Sequence, residues 1–318
     1  MASSPLDPAR CHEPALRYLR LLKRAAAFVE AHLDSPLDAS TLAAQAAMSR
    51  FHFHRLFHAH YGLTVGGYLT WRRLQRACGQ LQQTAVPVLE IAQAVGFGSA
   101  QALAKAMRRE LGLTPTAVRA GQAVPWPQWF AKQRVPDTPL SPADGQSMLR
   151  PQWRELPDLT ALMASGWGMK DGHMTAAAQQ GTRELMPALE KAGLMPRVSR
   201  CLSLLTEAPK SANDPDCQML TGVLFGLDPH SGRGKAEQPA MALSGSLQWQ
   251  HLPGGCCAVF THVGPYVGLG SLWAAIYRHW VPATGHRLRD APSFDLYLDD
   301  PRTTPPERLR TALYLPIA

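Results

Sequence analysis

The chain has 318 residues, 46% of them apolar, and 32 Lys and Arg against 24 Asp and Glu give it a net charge of +8. That length suits two domains, and that apolar content excludes a disordered or fibrous chain. No apolar run approaches the roughly 18–20 residues of a membrane span, and the six cysteines include no C-x-x-C pair, which argues against a metal ribbon, a redox motif or a disulfide framework. The start, Met1-Ala2-Ser3-Ser4-Pro5, lacks the basic-then-apolar order of a secretion signal, so the expectation is a soluble, cytoplasmic protein with free thiols. The charge is unevenly placed. Residues 1–120 hold 14 Lys and Arg against 7 Asp and Glu, whereas residues 121–318 hold 18 against 17. A basic first third is what a phosphate-facing surface requires.

From residue 16 to 33, Leu19, Leu22, Ala26, Val29 and Leu33 recur at helical spacing, and Pro36 stops the run. A short helix of small residues follows, Leu42-Ala43-Ala44-Gln45-Ala46. A second helix opens near Ser49-Arg50 and runs to His60, where Gly62 suits a C-terminal cap. Residues 65–82 form a longer helix with Tyr68, Leu69, Leu74 and Leu81 inward. At 1.5 Å per residue it is about 27 Å long. Fifty positions on, the pattern repeats. Ile91-Ala92-Gln93-Ala94-Val95, a Gly96-Phe97-Gly98 turn, a Ser99 cap and a helix over 100–110 match the first unit, and Gly112-Leu113-Thr114 answers Gly62-Leu63-Thr64. Short helix, tight turn and second helix opening on Ser is the helix-turn-helix arrangement. Two such units on a rigid connector can enter successive major grooves, about 34 Å apart on one face of a duplex. His52, His54, His58 and His60 invite a metal reading, but the pair at i, i+4 lacks a third ligand, so no metal is expected.

Five prolines between Gly121 and Arg150 mark a linker. Its aromatics Trp126, Trp129 and Phe130 are expected to pack on a neighbouring domain. After it the texture is α+β. Strands are expected at 159–167, 200–205, 221–227, 258–262, 293–298 and 311–315, and helices at 175–192 and 269–279. The order is strand, helix, strand, strand, taken twice.

The first third resembles the AraC family of bacterial transcription regulators, carried by the Gly96-Phe97 turn, Arg108-Arg109-Glu110-Leu111-Gly112-Leu113-Thr114-Pro115 and Arg119. Ala117 precedes Val118-Arg119 without the family's usual Tyr, and Met107 replaces the usual Phe; both are apolar packing changes. The resemblance implies an all-α DNA-binding domain over 15–120 with two helix-turn-helix units. Its readers by position are Arg50, Phe51, His54 and Arg55 in the first recognition helix. In the second they are Ser99, Ala100, Gln101, Ala104 and Lys105, with Arg108 and Arg109 nearer the backbone. The chemistry agrees: Arg55 can pair with guanine O6/N7, and Gln101 with adenine N6/N7. The second helix has fewer polar readers, so the first half-site is expected to carry more specificity.

Residues 150–318, beyond a 121–149 linker, resemble the GyrI-like effector-binding domains. The motifs are His262-Val263-Gly264-Pro265-Tyr266, Leu272-Trp273 with Tyr277, Phe294-Asp295-Leu296-Tyr297 and Leu315-Pro316-Ile317. The resemblance implies two strand-helix-strand-strand halves with a pocket between them for amphipathic, often cationic, ligands. The acid would be Asp295, where the family usually has Glu, with Tyr297, Tyr266, Trp273, Tyr277 and Trp167 as aromatic walls. On a strand Ser293, Asp295 and Tyr297 share one face and Phe294, Leu296 and Leu298 the other. Cys201 is the equivalent of Asp295 in the first half. A structural alternative pairs Asp295 with Arg287, Arg289 or Arg302.

The expected function is a DNA-binding transcription regulator governed by a small-molecule effector, with no cofactor. Promoter DNA and the effector are its expected partners, RNA polymerase is an optional third, and no membrane is involved. Two other readings stay open: a constitutive regulator whose second domain binds a protein, and a hydrolase fused to a DNA-binding domain. Against catalysis stands the absence of G-x-S-x-G, H-E-x-x-H, a phosphate-binding loop or a dinucleotide fingerprint.

Overall fold

The computed structural model describes residues 12–37, 39–126, 149–206, 209 and 213–318. The linker aromatics Trp129 and Phe130 lie outside them. Among the described residues seven helices occupy the first part in chain order: α1 (His12–Ala31), α2 (Ala39–Gln45), α3 (Arg50–Tyr61), α4 (Val65–Gln83), α5 (Val88–Ala94), α6 (Ala100–Leu111) and α7 (Pro115–Arg119). Local chemistry sets their ends. The side chains of Thr64, Ser99 and Thr114 accept from the backbone N–H three residues on, at 3.1, 3.1 and 3.2 Å. α4 buries Val65, Tyr68, Trp71, Leu74, Cys78 and Leu81 along one stripe, as its helical spacing requires. Gly96 turns the chain at φ +82°. A Cβ there would meet the Leu33 carbonyl at 2.3 Å, so only glycine lets this turn lie against the end of the α1 segment.

The second part is one antiparallel sheet with strand order β1-β6-β8-β7-β3-β4-β2-β5. Its strands are β1 (Gln152–Leu156), β2 (Leu159–Trp167), β3 (Val198–Leu205), β4 (Gln218–Phe225), β5 (Gln248–Leu252), β6 (Gly255–Val263), β7 (Phe294–Tyr297) and β8 (Arg310–Pro316). α8 (Thr175–Lys191) follows β2. After β6 come α9 (Leu269–Ala275), a π-helical turn (Ile276–Trp280) and α10 (Val281–Thr284). The helix expected to end at 279 thus continues to 284 through a π turn, which moves Tyr277 off the ordinary helical spacing.

The strand order is symmetric about the β7–β3 pair, and the halves are related by a twofold. Cys201 pairs with Tyr297 and Ser203 with Asp295, so exchanging the strands maps Asp295 onto Cys201. The sequence reading missed β1 and β5. Each pairs only at the sheet's edge and with the opposite half, β1 on β6 and β5 on β2. Their polar sequences, Gln152-Trp153-Arg154-Glu155 and Gln248-Trp249-Gln250-His251, show no buried face.

The described hydrophobic residues gather unequally. The second helix-turn-helix unit has its own core, with Trp71, Leu74, Ile91, Leu103, Met107 and Val118. Trp126 leans on it, 6.1 Å from the Trp71 ring, as expected of a linker aromatic. The first unit has no separate core. Tyr18, Leu22, Val29, Phe53 and Phe57 form one cluster with Phe260, Ile276, Trp280, Val281, Leu313 and Leu315 of the sheet part. This shared apolar burial packs α1 and α3 against the second part. Among the described residues no helix is long and apolar enough to cross a membrane.

Candidate functional site: an aromatic pocket beside a recognition helix

α6 presents the simpler surface. Leu103, Ala106, Met107 and Leu111 face the core, which leaves Gln101, Lys105, Arg108 and Arg109 exposed, with Ala104 half-buried among them. These are the residues expected to meet DNA, and they line one open groove. Cations in the last turn of a helix are also favoured by its dipole.

α3 is different. His52 is 0% exposed, and its ring is bonded at both nitrogens to the second part of the chain. Nε2 lies 2.9 Å from the Arg289 carbonyl, which can only accept, so Nε2 carries the proton. Nδ1 is therefore the acceptor, and the Tyr277 hydroxyl donates to it at 2.8 Å. The Ser293 hydroxyl lies 3.5 Å from Tyr277 and is left as the donor there. Burial first, then the nearby Arg55 charge, holds His52 down at about 4. One turn along α3 the Arg55 guanidinium carbon lies 5.0 Å from the Trp273 ring centre and 5.7 Å from that of Tyr277.

Arg55 was expected to point at DNA. In this arrangement it points into the sheet part instead, because His52 and Arg55, three residues apart, share the helical face that packs there. The side chains of Arg50 and Phe51 lie outside the described residues, and His54 is half-buried. The histidine cluster is dispersed: among the described residues no three His, Cys, Asp or Glu side chains gather to hold a metal ion.

Near Arg55 lies the acid expected to bind a ligand. Asp295 on β7 is half-buried and accepts from the Trp273 indole N–H at 2.8 Å. Burial raises it to about 6, against the lowering influence of the indole bond, Arg55 and His262. The alternative pairing fails. Arg302 pairs with Asp300 at 2.7 Å, and Arg289 donates to the Pro253 and Gly254 carbonyls. Among the described residues no basic group stands within ion-pair distance of Asp295. Tyr297 shares its face, bonded to Ser203 Oγ at 2.7 Å, with the Tyr266 ring 5.0 Å away. Sequence reasoning placed Ser293 on this face but missed Ser203; the twofold that maps Ser203 onto Tyr297 was the available signal.

Trp167 does not join this group. Pairing carries the Asp295 face across the sheet through Ser203 and Thr221 to Ala164. Trp167 is three residues from Ala164 and therefore faces the other way. The first half places Cys201 where the second has Asp295. A Cβ on Gly166 would lie 1.8 Å from the Ala177 carbonyl, so α8 rests directly on the sheet, whereas the bulky Trp273 and Tyr277 stand between helix and sheet in the second half.

The fold and these surfaces define a class: a helical module with two helix-turn-helix units joined to a sheet module that carries Asp295 in a cluster of aromatic rings. Residues 42–121 match the family described as a helix-turn-helix domain, of the AraC type, and residues 155–318 match the GyrI-like small molecule binding domain. The chain belongs to the GyrI-like family and carries an AraC-type helix-turn-helix domain ahead of it. It is 35% identical over 104 residues to the Right origin-binding protein of Escherichia coli, covering 33% of this chain and 34% of that one. It is 28% identical over 104 residues to the Regulatory protein SoxS of Escherichia coli, covering 33% of this chain and 97% of that one. The matched segment thus spans about a third of the Right origin-binding protein. Among solved structures, a transcriptional regulator with an AraC-type DNA-binding domain from Chromobacterium violaceum is 32% identical. That match covers 34% of this chain and 96% of that one, at a TM-score of 0.32.

Proposed function

We propose that this protein is a DNA-binding transcription regulator whose sheet domain takes a cationic, amphipathic small molecule. The observation that carries this reading is Asp295: a half-buried carboxylate with an indole as its hydrogen-bond donor, walled by Trp273, Tyr266, Tyr277 and Tyr297 and lying beside a recognition helix. A carboxylate desolvated this far is stabilised by an arriving cation, and aromatic faces add cation–π attraction. The exposed Gln101, Lys105, Arg108 and Arg109 of α6 support DNA binding by one reader with surrounding phosphate contacts.

Two measurements test the two halves. Fluorescence anisotropy with promoter fragments should show affinity falling steeply with salt, by roughly 0.9 in log–log slope per phosphate neutralised. Benzyltrimethylammonium should raise the melting temperature, benzyl alcohol should not, and Asp295→Asn should lose the effect. Salt-independent DNA binding, or equal responses to the cation and the alcohol, refutes the corresponding half.

A further inference from the structure

The same guanidinium serves two addresses that exclude each other. The family resemblance assigns Arg55 on α3 to a base edge; in this structure it lies over Trp273 and Tyr277, and the Trp273 indole donates to the Asp295 carboxylate. We propose that Arg55 is the pocket's own resident cation, which a cationic effector displaces and thereby frees α3 for DNA. The inference rests on the reading that the pocket takes a cation, and it adds how occupancy reaches the DNA-binding surface.

Three features of the contact support it. First, Arg55 is held by ring faces and not by an ion pair, so the carboxylate stays available to a ligand that reaches further in. Second, the neighbouring anchor depends on a single hydroxyl. Tyr277 donates to His52 while its ring stacks beside Trp273 at 5.9 Å, so a ligand that shifts the Tyr277 ring disturbs both contacts of α3 together. Third, Tyr277 sits in the π turn between α9 and α10, a rare helical irregularity that recurs at functional sites. The second unit, with its separate core, stays outside this contact and keeps α6 exposed throughout. A ligand and Arg55 competing for one site are linked, so the apparent ligand affinity falls by the fraction of molecules in which Arg55 is docked.

The test uses the full chain, benzyltrimethylammonium as probe, titration calorimetry for affinity and hydrogen exchange for the packing of α3. Arg55→Gln removes the internal competitor and should bind the probe about tenfold tighter than the wild type, as expected when cation–π contacts of this kind are lost. Saturating probe should speed exchange in α3 of the wild type while leaving α6 unchanged. Tyr277→Phe keeps the ring but not the hydroxyl, and should speed α3 exchange without any probe. Equal probe affinity in wild type and Arg55→Gln, with α3 exchange unmoved, overturns the inference and leaves the pocket reading intact. Failure of the probe to bind either protein overturns the pocket reading, and the inference with it. Should Arg55→Gln not fold, Tyr277→Phe decides alone: unchanged α3 exchange counts against the inference.

Discussion

Replacing Asp295 with Asn should make the protein acid-sensitive, because it unmasks the titration of His52. His52 is held at about 4 in the folded protein against an ordinary 6.5. The groups facing it are Arg55 on its own helix, Arg289, Tyr277 and Ser293, none of which offers a negative charge. A depressed histidine contributes stability that is complete above 6.5 and is lost as pH falls towards 4. At about 1.4 kcal/mol per tenfold change in proton affinity, the loss is about 3 kcal/mol. Asp295 works in the opposite sense. It is raised from 3.8 to about 6, with Arg55, His262 and the Trp273 indole around it. Its contribution is complete below 3.8 and is lost as pH rises through 6, again about 3 kcal/mol.

The two windows overlap, so in the wild type the trends largely cancel between pH 4 and 6. Urea titrations at pH 7, 6, 5 and 4, read by tryptophan fluorescence, should separate them. Relative to the wild type, Asp295→Asn should lose about 3 kcal/mol between pH 7 and 4, and His52→Gln should gain about as much. Other carboxylates, such as Asp228 near 2, are common to all three proteins and drop out of the comparison. If both variants follow the wild type to within about 1 kcal/mol across this range, the burial argument for the pair is wrong.

Gly166→Ala should destabilise the sheet part by several kcal/mol, since the new methyl meets the Ala177 backbone and neither α8 nor β2 can move without breaking packing; a drop in the urea midpoint checks it. Ser99→Ala removes the bond to the Ala102 N–H at the start of α6 and should cost about 1 kcal/mol of stability in the second helix-turn-helix unit, read by thermal melting.

The local elements were legible because their causes are local. Ser99, Gly112 and the apolar stripe of α4 act within a few residues. Strand β2 was bounded correctly at Leu159 and Trp167, a run of nine residues without a charge or a proline. The alternation that set Asp295 and Tyr297 on one face is likewise a property of any strand. β1 and β5 escaped because their partners are supplied by the opposite half, a relation no run of neighbouring residues encodes. Trp167 was misplaced for a related reason: which face it shares with Asp295 depends on register carried through β7, β3, β4 and β2.

The amino-acid sequence alone thus determined that this chain carries two helix-turn-helix units and a duplicated α+β module with an acid at Asp295. Tertiary structure alone decided that the first unit shares its core with the sheet part and that Arg55 lies over Trp273 and Tyr277. His52 and Tyr277 stand 225 residues apart, and their bond depends on two surfaces distant in sequence fitting together. Helical spacing placed His52 and Arg55 on one face; only packing determined what that face would meet.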